Sequence, residues 1–161
     1  MTIFKTALFC AALICATTAF AQTDINLGAI SADPNAPVEI TADSLSIDQA
    51  TGTAIFIGNV VFGQGDLRLN AARVQVIYSD ASGDISRLSA SGGVTFVTAT
   101  EAAEALTADY NLDTGTLELA GDVLLTQGAS AISSDTMRVN LSDGSAQMYG
   151  RVRTIFNQGN N

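Results

Sequence analysis

Sixteen acidic and seven basic side chains carry most of the ionisable chemistry of this 161-residue chain, which has no histidine. Its two cysteines, Cys10 and Cys15, and its one lysine, Lys5, all fall within the first 21 residues. From residue 22 onward there is no thiol, imidazole or primary side-chain amine. Ser-His-Asp and Cys-His nucleophiles are excluded there. So are zinc sites, which need His or Cys at set spacings. No Gly-x-Ser-x-Gly elbow occurs. The residue types still permit a carboxylate pair for glycoside hydrolysis, because that chemistry needs only two acids. The acids, however, stand singly beside turns or on the polar side of alternating runs, which is the pattern of a solvated face. No catalytic residue, cofactor or metal is expected.

Two short motifs reduce to local structure. Gly63-Gln64-Gly65-Asp66 has the look of a phosphate or calcium loop but lacks a following Lys-Ser/Thr and any tandem nonapeptide. It reads as turn chemistry. Asn140-Leu141-Ser142 matches a glycosylation sequon, which is uninformative by itself.

The ends bound the folded part. Lys5, the mostly apolar run from Ala7 to Thr18 and the small-x-small Ala19-Phe20-Ala21 form a secretory signal peptide pattern over 1–21. Cleavage there would leave 140 residues with sixteen acids against six arginines, a net charge of −10. That is enough chain for one domain with a real core. The charge argues against nucleic acid as a partner and against passive adhesion to an anionic membrane. Residues 22–37 lack periodicity, contain Asp33-Pro34-Asn35-Ala36-Pro37 and read as an extended leader. The β domain is expected over 38–156 and a flexible tail over 157–161.

Within that domain a glycine-centred pattern recurs four times. It reads Ala54-x-Phe56-x-Gly58-x-Val60-x-Phe62, Leu88-x-Ala90-x-Gly92-x-Val94-x-Phe96, Leu117-x-Leu119-x-Gly121-x-Val123-x-Leu125 and Ala146-x-Met148-x-Gly150-x-Val152-x-Thr154. The glycines lie 34, 29 and 29 residues apart. Alternate residues of a strand share a face, so each glycine joins an apolar row. Shorter runs precede each copy: Ala42-Asp43 into Leu45 and Ile47, Ala71-Ala72 into Val74 and Val76, Thr107-Ala108-Asp109 into Tyr110, and Ser134-Asp135 into Met137. Turns at Thr51-Gly52, Ser82-Gly83-Asp84, Thr114-Gly115 and Asp143-Gly144 imply hairpins and antiparallel pairing. Gln64-Gly65 and Gln127-Gly128 close two long strands at equivalent places. About ten to twelve strands are expected in an all-β, open and twisted antiparallel stack. The run Ala99 to Ala105 favours helix by composition and is expected to form an edge, a bulge or a single helical turn.

The repeated apolar row is either an ordinary sandwich core or the lining of an internal groove. Glycine at one level in all four copies favours a ligand channel or a sharp bend, since a closed core would lose packing there. The expected lining is Leu45, Ile47, Phe56, Val60, Phe62, Val94, Phe96, Leu119, Val123, Leu125, Met148 and Val152. Gly58, Gly92, Gly121 and Gly150 are the groove glycines.

Residues Ala42-Asp43 through Gly65-Asp66, with the pattern ADxLxID followed by GNVxFxQGD, resemble the OstA-like family of lipopolysaccharide-transport periplasmic proteins. The resemblance extends from Val38 to about Phe156. It implies an antiparallel β-jellyroll whose apolar interior accepts acyl chains, a periplasmic location and head-to-tail self-association. Docking partners would be an inner-membrane transport complex and an outer-membrane translocon, joined through sheet edges. Exposing a lipid with on the order of fifty CH₂ groups costs on the order of 40 kcal/mol, at about 0.8 kcal/mol each, so an apolar trough would remove a large barrier. Arg68, Arg73 and Arg138 are candidate contacts for lipid phosphates at the rim. The competing expectation is a self-assembling structural module of the envelope with a dry core and no lipid.

Overall fold

Strict alternation of apolar and polar residues becomes strand wherever it persists. The computed structural model describes residues 24–26, 33 and 36–155; the expected signal peptide and the 157–161 tail lie outside them. Six long strands form the body, each antiparallel to the next: β4 (Thr53–Gln64), β5 (Leu67–Tyr78), β6 (Ile85–Val97), β7 (Glu101–Asn111), β8 (Thr116–Gln127) and β9 (Ser130–Asn140). At one end, β2 (Val38–Thr41) and β3 (Ser44–Asp48) share the outer edge of β4. At the other, β10 (Ser145–Tyr149) and β11 (Arg153–Ile155) share the outer edge of β9. β1 (Asp24–Asn26), inside the expected leader, pairs with β10. The eleven described strands make one antiparallel sheet.

Every long strand is two strands joined at a corner. The ladder skips between Ile57 and Val60, Ala71 and Arg73, Ser91 and Val94, Glu104 and Thr107, and Ala120 and Val123. Gly58 (φ 83°) and Asn59 (φ 47°) are both left-handed, as are Gly121 (φ 84°) and Asp122 (φ 48°). Glycine takes the first of these conformations without steric cost, and Asn or Asp tolerates the second. Two residues thus oppose one across the ladder, which bends and twists the sheet. The same device stands at Gly92-Gly93 and Gly150-Arg151. The sheet folds into two arms, one running from β3 to β10 and the other from β2 to β11.

The bend is closely packed on its outer side. A Cβ on Gly58 would fall 2.4 Å from Asp43 Oδ2, on Gly92 2.7 Å from Ala72 Cβ, on Gly121 2.8 Å from Leu106 Cδ1, and on Gly150 2.3 Å from Asp135 Oδ2. The glycine level is therefore a corner at which a neighbouring side chain occupies the missing Cβ. These contacts also reset the repeat. Its third copy turns at Ala105-Leu106, not at Thr107-Ala108-Asp109, because Leu106 is what covers Gly121.

Ala99 to Ala105 departs from its compositional preference. Glu101 onward is strand β7, paired on both sides with β6 and β8. Ala103 stands between Phe96 and Leu125 in register and is buried with them. A small residue there makes room for two large neighbours, and ladder pairing on both edges outweighs helix propensity worth only tenths of a kcal/mol per residue.

The two arms face each other across a single hydrophobic core. Phe62 of the β2–β11 arm and Tyr110 of the β3–β10 arm meet edge to face, with centroids 6.1 Å apart and planes at 80°. Phe62 and Phe96 are 0% exposed. The interior is apolar, as expected, and the two arms of the open sheet meet across it. The physical reason is direct: two apolar faces joined by a bend bury more surface by meeting than by holding a wet cleft between them.

Candidate functional site

The expected lining residues divide by position along the stack. Val60, Phe62, Val94, Phe96, Leu119, Val123, Leu125 and Met148 all point into the core and are buried. Phe56 is half-buried against it. Leu45 and Ile47 stand opposite Phe56 and Ala54 in register, so they share the inner face, yet they are 51% and 64% exposed. Val152, 48% exposed, lies at the other end. Among the described residues, no further strand pairs with the outer edges of β3 or β11. The apolar interior therefore runs the length of the stack and surfaces at both ends.

The three candidate arginines do not converge. Arg68 turns back on its own hairpin, its guanidinium donating to the carbonyl of Leu67 at 2.8 Å and to that of Gly65. Arg138 donates from Nε to Glu118 Oε1 at 2.7 Å, with a second nitrogen on the same oxygen. Arg73 sits beside the corner, in register with Ile57 and Ser91. Arg87 with Asp109, and Arg151 with Asp135, form further exposed pairs. Hydrogen bonding and charge from Arg151 hold the Asp135 carboxyl below its usual range. A recess of about 500 Å³ lies on the outer side of the bend and is lined by Gly58, Asn59, Asn70, Ala72 and Gly93 among others.

A group not foreseen lies at the free tips of the arms, away from the corner. Gln64 ends β4 and Tyr110 nearly ends β7; both are buried, and the Tyr110 hydroxyl donates to Gln64 Oε1 at 3.0 Å. Burial pushes the Tyr110 hydroxyl pKa up. On the same β2–β11 tip, Glu101 is 3% exposed and accepts from Thr98 Oγ1 and Thr100 Oγ1, each at 2.6 Å, and from Gln127 Nε2 at 3.0 Å. Desolvation pushes the Glu101 carboxyl up, but these three hydrogen bonds outweigh it and the net shift is downward. Two signals for this group stand in the sequence. Gln64 and Gln127 continue the apolar parity of Phe62 and Leu125 by one step, and Glu101 continues that of Ala103.

A bent, open antiparallel sheet packed around a continuous apolar interior, with β2 and β11 as edge strands among the described residues, defines the class of this β domain. Residues 39–145 match the family model described as LptA/(LptD N-terminal domain) LPS transport protein. The chain belongs to this family of lipopolysaccharide transport proteins. An uncharacterised protein of Rhizobium meliloti (strain 1021) is 29% identical over 154 residues, covering 88% of this chain and 83% of that one. The chain is also similar in fold to LptH of Pseudomonas aeruginosa, described as the LptA-homologous periplasmic component of the conserved lipopolysaccharide transport device. That match has a TM-score of 0.71 at 16% identity and covers 79% of this chain and 99% of the other.

Proposed function

We propose that this chain is a periplasmic, non-catalytic carrier that passes lipopolysaccharide from an inner-membrane extractor toward an outer-membrane translocon. The lipid acyl chains would lie between the two arms, with sugars and phosphates left in water. The observation that carries this reading is the uninterrupted apolar interior, buried in the middle and exposed at Leu45, Ile47 and Val152. A closed interior is compatible with cargo because insertion is an exchange. Each arm loses contact with the other and gains contact with acyl chain, while the chain itself leaves water at about 0.8 kcal/mol per CH₂. A signal peptide cleaved after Ala21 would deliver the chain to the periplasm.

Copies would join head to tail through the bare edges. β2 carries Glu39, with Asp43 and Asp48 nearby, at one end; β11 carries Arg153, next to Arg151, at the other. Unpaired N–H and C=O groups on such edges accept a further strand, and the opposite charges favour one polarity of stacking. Similar β domains of the two membrane complexes would dock by the same means.

The closed core also favours a second reading, a structural envelope module that carries no lipid. Native mass spectrometry of the purified mature chain separates the two. Co-purifying lipopolysaccharide, and photo-crosslinks to it from Phe56 or Phe96, are expected of the carrier. Concentration-dependent fibres free of lipid would establish the structural module instead.

A further inference from the structure

We propose that acyl chains enter sideways, through a seam between the free tips of the arms, and that the Tyr110–Gln64 hydrogen bond is the latch that holds this seam shut. The inference rests on the carrier reading above and names the route into its interior. Three features support it. Polar residues on the inward parity gather at one tip: Gln64, Thr98 and Glu101 are buried there, and Gln127 hydrogen-bonds Glu101 at its rim. Opening an apolar joint exposes only groups that water solvates poorly, whereas opening here hands buried amide, hydroxyl and carboxylate groups back to water. The seam is thus the joint that opens at least cost. The latch itself spans the mouth, joining β4 to β7 across 46 residues of sequence. Finally, the opposite side of each arm pair is a ready hinge, since ladder pairing is interrupted between Ile57 and Val60, Ser91 and Val94, and Ala120 and Val123. Rotation there needs no strand to leave its neighbour.

Tyr110 and Gln64 act on the guest by controlling the mouth. The test uses the mature chain, in which no natural cysteine remains once residues 1–21 are gone. The Gln64→Cys/Tyr110→Cys variant is prepared free and with its two introduced thiols joined by a short bismaleimide. Association with purified lipopolysaccharide is followed by photo-crosslinking from Phe96. The free variant is expected to associate at least as fast as the parent, and the joined form at least tenfold more slowly. Equal rates for the free and joined forms would overturn the lateral route and leave the carrier reading standing, with entry from the ends. Absence of lipopolysaccharide binding by parent and variants alike would overturn both. Tyr110→Phe, which keeps the ring against Phe62, is the milder check. It should speed association at least threefold, and an unchanged rate would remove the latch.

Discussion

A Cβ placed on Gly121 would sit 2.8 Å from Leu106 Cδ1 and 2.9 Å from Leu106 Cβ. The glycine also has φ of +84°, so a side chain there meets both backbone strain and a neighbour anchored on the adjacent strand. Gly83 has φ of +76° but nothing within 4 Å of its missing Cβ. Gly121→Ala should therefore cost about 2–4 kcal/mol, and Gly83→Ala only the conformational share of about 1 kcal/mol. Urea midpoints of the two variants check this; equal losses would show that corner packing is irrelevant.

The acid limb of stability should trace to Glu101. Its folded pKa lies below the ordinary value of 4.5, so the folded state binds fewer protons than the unfolded state in that range. The resulting stabilisation is complete above the unfolded value and is lost as pH falls through the lowered folded one. Glu101→Gln should be about 1–2 kcal/mol less stable than the parent at pH 7. The gap should narrow below about pH 4. Denaturant melts across pH 3 to 7 measure it, and a constant gap would contradict the assignment. Asp135 shifts in the same direction, but its exposure makes its share small.

Burial and exposure separate stability from cargo handling. Phe96→Ala removes a side chain that is 0% exposed and should cost about 3–5 kcal/mol. Leu45→Ser/Ile47→Ser alters residues already in water and should change stability by less than about 1 kcal/mol. The same pair should reduce lipopolysaccharide capture from a membrane-extracted donor, read by transfer to the purified chain. Undiminished capture would show that the exposed end of the interior has no part in transfer.

Charge should decide how copies stack. Glu39→Arg and Arg153→Glu, each reversing one bare edge, are expected to weaken self-association, and the double reversal to restore it in part. Sedimentation over a range of concentrations measures the change. Added salt should weaken parental association by screening. Failure of the double variant to recover would place the contact elsewhere.

The fold was readable because its units are local. Phe56-x-Gly58-x-Val60-x-Phe62 states both the alternation and the corner, and Gly115 and Gly144 mark hairpins that the structure makes. β7 was obscured because Glu101 to Ala105 prefers helix in isolation; pairing with Phe96 on one side and Leu125 on the other is invisible in a single sequence. The third corner lies two residues before the pair that the repeat pattern marks, for a related reason: Ala105-Leu106 departs from the small-polar type of Ala42-Asp43. The closed interior was beyond periodicity altogether: alternation tells which residues share a face, not what that face meets. Nor does it show that Tyr110 reaches Gln64, because the approach depends on how the two arms cross.

Most of the ladder joins strands that follow one another directly in the chain, so each layer can add as soon as the preceding one exists. β1 is different, because Asp24–Asn26 pairs with Gln147 to Ser145. The first described strand in the chain is thus among the last to find its place. It must stay unpaired until nearly all of the polypeptide has been made, and for that interval β10 offers an open template to any other strand that arrives first.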